Sequence, residues 1–143
     1  MRKNEMHMTF LADSVNESLA RVAVAAFAAE LNPTMEEIED IRTSVSEAVT
    51  NAIIHGYEET GGMVELHCVL LDRLIHIEVK DAGKGIPDIE QAKKPFYTTK
   101  PEEERSGMGF AFMEAFMDRV KVESEVGFGT RVILEKEIGT GDE

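Results

Sequence analysis

Asp81-Ala82-Gly83-Lys84-Gly85 follows directly on Ile75-His76-Ile77-Glu78-Val79-Lys80, and the pair of stretches decides how the rest of the chain is read. The second stretch alternates apolar and polar side chains, the pattern of a half-buried strand. A carboxylate at the end of that strand, then two glycines two apart, lets a ligand lie against backbone that carries no Cβ. The aspartate there can accept a hydrogen bond from the exocyclic amine of an adenine. Taken alone, Asp-x-Gly-x-Gly also describes an ordinary turn. Its neighbours separate the two.

Upstream, His7 to Ala12 alternates enough for a short first strand. Ser14-Val15-Asn16-Glu17 has the form of a capping box opening a helix to about Leu31, stopped by Asn32-Pro33. Thr34-Met35-Glu36-Glu37 is a second box, and its helix should run to His55 with Gly56 ending it. Met63 to Leu71 and Leu74 to Lys80 read as a hairpin joined tightly at Asp72-Arg73. Downstream, Ala82 to Ser106 reads as a long structureless segment, which in a compact domain suggests a functional lid. Gly107-Met108-Gly109 opens a helix to about Met117, with Phe110, Met113, Phe116 and Met117 as its apolar stripe. Strands follow at Arg119 to Glu125 and Arg131 to Ile138, and Gly139 to Glu143 reads as a frayed tail. The expected fold is α+β, a two-layer α/β sandwich with helices on one face of a mixed, mostly antiparallel sheet.

Composition narrows the function classes. The 143 residues make one domain, 1–143, at 43% hydrophobic and 30% charged. No apolar run is long enough to span a membrane, and the N-terminus lacks the apolar core of a signal peptide. One cysteine, Cys68, excludes an internal disulfide framework and fits a cytoplasmic protein. A formal net charge of −13 argues against direct nucleic-acid binding, which wants a basic face. Within that acidic chain, residues 84–105 hold five basic residues (Lys84, Lys93, Lys94, Lys100 and Arg105) against five acidic ones. A locally neutral lid suits an anionic ligand.

On the second helix, Glu47, Asn51 and His55 fall at i, i+4 and i+8 and form one polar stripe beside the apolar face of Ile41, Val45, Ala48, Val49 and Ala52. Such a stripe either is solvated or lines a cleft between helix and sheet. In a cleft, an amide oxygen suits Mg²⁺ and the carboxylate one turn away is left to accept a proton. Gly107-Met108-Gly109 exposes backbone N–H groups at a helix N-terminus, where phosphate is favoured. Arg105, two residues upstream, has the reach and the fork of donors to meet a terminal phosphate, and Thr98, Thr99 and Lys100 are further lid candidates.

These motifs stand in a recognisable order. Glu47-Ala48-Val49-Thr50-Asn51-Ala52-Ile53-Ile54-His55-Gly56, Asp81-x-Gly83-x-Gly85, Gly107-Met108-Gly109 and Gly127-x-Gly129-Thr130 resemble the N, G1, G2 and G3 boxes of the GHKL ATPases. Within that superfamily, the His55-Gly56-Tyr57 ending, Pro95 to Pro101 and Glu104 to Phe110 look like the anti-sigma serine kinases of sporulating bacteria. The resemblance runs from about Met6 to Ile138. It implies the Bergerat ATP-binding fold and a homodimer that captures a sigma factor. It also implies phosphorylation, with ATP (or ADP as product) and Mg²⁺, of a serine on an anti-anti-sigma protein. Carried residue by residue, Asn51 would ligate the metal, Asp81 would read adenine, and Thr130 would help fix the base through a water. Gly83, Gly85, Gly107, Gly109 and their neighbours His55, Thr98, Thr99, Lys100, Ser106 and Met108 would hold the nucleotide. Glu47 would be the base for the acceptor serine and Arg105 would stabilise the transferring phosphoryl.

Three other readings compete. A histidine-kinase catalytic domain should be preceded by a helical hairpin bearing the acceptor histidine, and a gyrase-type hydrolase should be followed by a transducer domain; neither is evident. An ATP-gated binder without transfer chemistry has no use for Glu47 beside the metal ligand. The first helix adds one surface that the boxes do not explain. Val15, Leu19, Val22, Ala26 and Ala29 make an apolar face, extended by Val24, Phe27 and Leu31, which predicts burial on more than one side. Glu17 and Arg21 lie one turn apart on what remains, among Ala25 and Ala28. They form either a solvated ion pair or the anchor for a protein partner, near the dimer seam.

Overall fold

The computed structural model describes residues 3–57, 61–94 and 109–139. Strand β1 (Lys3–Leu11) starts four residues earlier than its alternation suggested. It is followed by α1 (Asn16–Ala28), which tightens into a 3₁₀ turn at Ala29–Leu31. Asn32 ends that turn at φ 52°, and Pro33 follows, as the stop signal required. Helix α2 (Met35–Thr50) is closed by the expected capping box: Glu37 N–H donates to Thr34 Oγ1 (3.1 Å) and Thr34 N–H to Glu37 Oε1 (2.9 Å). The first box does not form. Val15 caps α1 without a side-chain bond, because Asp13 Oδ1 takes the Val15 N–H (3.0 Å) in a local turn.

Strands β2 (Met63–Leu71) and β3 (Leu74–Asp81) form the hairpin, with Asp72 at φ 54° in its turn. A short helix α3 (Ile89–Ala92), capped by Asp88, then interrupts the segment expected to be structureless. Helix α4 (Gly109–Phe116), β4 (Arg119–Glu125) and β5 (Gly129–Glu137) complete the fold. The order of the five strands is β1-β2-β3-β5-β4. Every pairing among them is antiparallel, so the sheet expected to be mixed and mostly antiparallel is antiparallel throughout among the described residues. β4 therefore runs parallel to β3 with β5 between them: the helical segment α3–α4 makes the crossover, and the β4–β5 turn returns the chain antiparallel beside β3.

The helices cover one face. Ile41, Val45, Ala48, Val49 and Ala52 of the α2 segment are buried against Leu66, Ile75, Ile77, Val79 and Leu134 of the sheet, as the periodicity required. Phe110, Met113 and Met117 bring α4 into the same core. Helix α1 corrects the sequence reading. Its buried residues are the small ones, Ala20, Val24 and Ala28, while Val15 (66% exposed), Leu19 (49%) and Val22 (58%) face outward. A helix apolar nearly all round cannot announce its inner side, and here close packing selects the side with the smallest residues. Cys68 is buried, and burial pushes its thiol up to about 12, so it is inert packing. Gly139, expected to fray, is tied by its N–H to Glu37 Oε2 (2.9 Å). Among the described residues, no helix is long and apolar enough to cross a membrane.

Candidate functional site

The N-box helix does not stay α-helical. From Asn51 to Gly56 it widens into a π-turn, with Tyr57 N–H donating to the carbonyl five residues back, Ala52 (3.2 Å). On a regular helix, residues at i, i+4 and i+8 drift progressively round the axis. The wide turn reverses that drift, so Glu47, Thr50, Asn51 and His55 all line one cleft, which encloses about 190 Å³. Lys84, Gly85 and Ile86 supply a second wall, Gln91 and Ala92 of α3 a third, and Gly109, Phe110 and Met113 of α4 a fourth. Thr130 closes the base. The polar stripe read from spacing therefore lines a cleft and is not a solvated face.

Sheet register joins the first and third of the glycine boxes. Asp81 at the end of β3 pairs with Thr130 near the start of β5, and Thr130 pairs in turn with Ser124 of β4. Asp81 Oδ1 accepts from Gly83 N–H (2.9 Å). Ser124 Oγ accepts from Ile86 N–H (2.7 Å), donates to the Gly129 carbonyl (3.0 Å) and lies 2.9 Å from Thr130 Oγ1. Lys84 bonds through its N–H to the Gly56 carbonyl (2.8 Å) and through its own carbonyl to Gly127 N–H (2.8 Å). The stretch from Ala82 to Ile86 is thus fastened to the end of the N-box helix, to β4 and to the β4–β5 turn.

That fastening revises the reason for the glycines. A Cβ on Gly83 would stand 1.9 Å from the Gly56 carbonyl oxygen, so the bare backbone there is occupied by the chain itself. Gly85 has φ 82° and passes so near Glu125 that a Cβ would lie 2.5 Å from its carbonyl oxygen, yet Gly85 still lines the cleft. Asp81 and Gly83 sit behind the cleft wall, with Asp81 only 4% exposed. Burial pushes the Asp81 carboxyl up, against the opposing pull of the Gly83 and Thr130 N–H groups.

Thr98, Thr99, Lys100, Arg105, Ser106, Gly107 and Met108 lie outside the described residues. Of the G2 glycines only Gly109 is described, at the start of α4 and on the cleft wall. Glu17 and Arg21 form an ion pair on α1 (3.6 Å), half-buried and away from the cleft.

Two positioning residues were not assigned from sequence. Ser124 is one, and nothing local marks it. Tyr57, quoted only as part of a resemblance, is buried and donates its hydroxyl to the Met63 carbonyl (2.6 Å) while accepting from Ala82 N–H (2.7 Å). It braces the residue after Asp81 against the start of β2. Tyr57→Phe strands both groups and is expected to cost about 1–3 kcal/mol, a melting midpoint lower by about 3–10 °C. Nucleotide affinity should fall several-fold with it. Calorimetry and an ATP titration on the same variant measure both, and a native midpoint would show that the brace carries no weight.

The comparisons with known proteins agree with this geometry. The model of the histidine kinase-like ATPase domain matches residues 10–136. A protein of Clostridium acetobutylicum named Anti-sigma F factor is 60% identical over 136 residues, covering 95% of each chain. One of the same name from Geobacillus kaustophilus is 60% identical over 137 residues, covering 95% of this chain and 94% of its own. Another, from Bacillus licheniformis, is 55% identical over the same shares. The matched span holds the N-box turn, the Asp81 loop and the Thr130 strand, and the chain belongs to the histidine kinase-like ATPase family, within it to the anti-sigma F factors.

Proposed function

We propose that this chain binds and inhibits a sporulation sigma factor and, as an ATP-dependent protein serine kinase, phosphorylates its anti-anti-sigma antagonist. The observation that carries the enzymatic half is the one cleft that Glu47 and Asn51 line together with Lys84 and Gly109, the first residue of α4. That donor set suits a Mg²⁺-nucleotide: Asn51 offers an amide oxygen to the ion, while Lys84 and the α4 N–H groups face phosphate charge. The ion, when bound, neutralises phosphate oxygens. The serine Oγ forms a bond to the γ-phosphorus, the bond to the β,γ-bridging oxygen breaks with its electron pair leaving on ADP, and Glu47 takes the serine proton. Asp81, at the back of the cleft wall, reads the adenine amine, Thr130 supports the base, His55, Gly85 and Gly109 line the pocket, and Gly83 lets the Asp81 loop close against Gly56. Lid residues Thr98, Thr99, Lys100, Ser106, Gly107 and Met108 complete the nucleotide contacts, and Arg105 steadies the transferring phosphoryl.

The binding half uses α1. Val15, Leu19 and Val22 form an exposed apolar stripe along α1, and Leu11 and Met63, at the paired ends of β1 and β2, are exposed as well. Contiguous exposed apolar surface marks interaction sites, and the homodimer seam runs along this stripe. Beside it, Glu17 and Arg21 receive the protein partner. Glu17 Oε2, 3.6 Å from Arg21 Nη1, and Arg21 Nε are shielded from solvent without a hydrogen bond, so the pair is partly held out of water before any partner arrives. Arg21→Ala should weaken partner binding by more than about 1 kcal/mol with ATP affinity and melting unchanged.

Retention of the chain on an immobilised sporulation sigma factor tests the binding half. ATP-dependent retention, reduced by Arg21→Ala, is expected. No retention with any nucleotide would contradict it.

A further inference from the structure

The face of the sheet away from the helices carries three of the four histidines, and two of them meet. β1–β2 register sets His7 directly opposite His67, and Glu5 lies two residues before His7 on the same side of β1. Glu5 Oε2 stands 2.7 Å from His67 Nε2 and 3.4 Å from His7 Nε2. The two imidazoles stack with centroids 4.0 Å apart and planes 13° from parallel, so both ring nitrogens converge on one carboxylate oxygen. The three donor atoms all lie within 4.8 Å of one another.

We propose that Glu5, His7 and His67 form a surface site for a transition-metal dication of the Zn²⁺ class, distinct from the Mg²⁺-nucleotide cleft. An ion held at about 2.0–2.2 Å by imidazole nitrogen and carboxylate oxygen spaces tetrahedral ligands roughly 3.3–3.5 Å apart. The Glu5–His7 separation already has that value, and the remaining adjustment is side-chain rotation on a backbone fixed by the β1–β2 ladder. Two imidazoles with one carboxylate select Zn²⁺, Co²⁺, Ni²⁺ or Cu²⁺ over the oxygen-seeking Mg²⁺ and Ca²⁺. Lys3 Nζ sits 3.8 Å from the other Glu5 oxygen, Oε1, and leaves Oε2 to the ion. Glu5 and His7 are exposed and His67 half-buried, so water fills the open coordination positions.

The third histidine is a different case. His76 Nε2 and Nδ1 are each 2.7 Å from a carboxylate oxygen, of Glu78 and Glu135 respectively, which occupies both of its nitrogens. The ion would instead tie β1, an edge strand, to β2, and binding only the folded chain it would raise the melting midpoint by mass action.

The test uses the full chain without a polyhistidine tag, stripped with chelator and free of nucleotide. Zn²⁺ titration by calorimetry and Co²⁺ titration by visible absorption should each show one saturable equivalent, with the visible bands of a nitrogen- and oxygen-ligated Co²⁺. His67→Ala should weaken binding by about 100-fold or more, and His7→Gln, at an exposed position that does not threaten folding, by at least about tenfold. His76→Gln should bind as the native chain does, and Zn²⁺ should raise the melting midpoint of the native chain but not of His7→Gln. Absence of saturable binding to the native chain would overturn the site, as would native affinity in His7→Gln. Because no nucleotide is present, these outcomes stand whether or not the kinase chemistry does.

Discussion

Glu47→Gln is expected to leave ATP affinity within a few-fold of native while transfer to the serine-bearing partner falls by about 10²–10⁴. Glu47 stands on α2 one turn before Asn51, and both line the cleft. An asparagine cannot accept a proton, so of this pair only the carboxylate can serve the acceptor hydroxyl. Glutamine keeps the shape and the capacity to hydrogen-bond but loses basicity. An interaction made only in the transition state lowers turnover and leaves ground-state binding alone. Asn51→Ala should do the reverse, damaging Mg²⁺-dependent nucleotide binding itself. Single-turnover transfer and equilibrium ATP titration on each variant separate the two losses. Native transfer by Glu47→Gln would remove the residue from the chemistry.

Asp81→Asn carries the second large effect, and it divides affinity from stability. A carboxylate accepts from the adenine amine, whereas guanine would present a carbonyl oxygen to it. Two acceptors facing each other in a dry pocket cost about 1–3 kcal/mol, enough for at least tenfold preference for ATP. Losing a hydrogen bond to a charged group should weaken ATP binding by about 10–150-fold and relax that preference. The free protein behaves otherwise. Because the folded-state pKa of Asp81 is raised, chiefly by burial, its contribution to stability is full below the unfolded value and lost as pH rises through the folded one. At neutral pH the empty pocket therefore holds a buried charge at a cost. The amide of the Asp81→Asn variant removes that charge, so the variant should melt no lower than native at pH 7. On acidification through that range the native chain should gain stability relative to the variant, the comparison cancelling the carboxylates with lowered pKa values, such as Glu37 and Glu78, that the two share. Equal native affinity for ATP and GTP would take Asp81 out of the role. A variant that melts well below native would mean that the bonds of Asp81 to Gly83 and Thr130 outweigh its charge.

What could be read from sequence follows from where the determining contacts lie. The inner face of α2, the β2–β3 hairpin and the stripe of α4 rest on periodicities within one element, and each appears at the expected residues. Helix α1 misled because Val15, Leu19 and Val22 read as a stronger apolar face than Ala20 and Ala28, while the buried side is the one of Ala20, Val24 and Ala28. The capping box at Ser14 failed to a competing turn at Asp13 one residue earlier. Within the site, Glu47, Asn51 and His55 were legible as a stripe, but the π-turn that aligns them was not. Gly83 was legible as a glycine for the wrong reason, since only the fold brings Gly56 against it. Tyr57 and Ser124 work through partners 25 and 38 residues away, Ala82 and Ile86, which no local pattern records.

The proposed serine kinase activity is tested most directly by incubating the chain with ATP labelled in its γ-phosphate and the cognate anti-anti-sigma protein, then identifying the labelled amino acid. Label on a serine of that protein, dependent on Mg²⁺ and nearly abolished by Glu47→Gln, is the expected result. Label on a histidine, free phosphate alone, or no turnover beside intact ATP binding would contradict it.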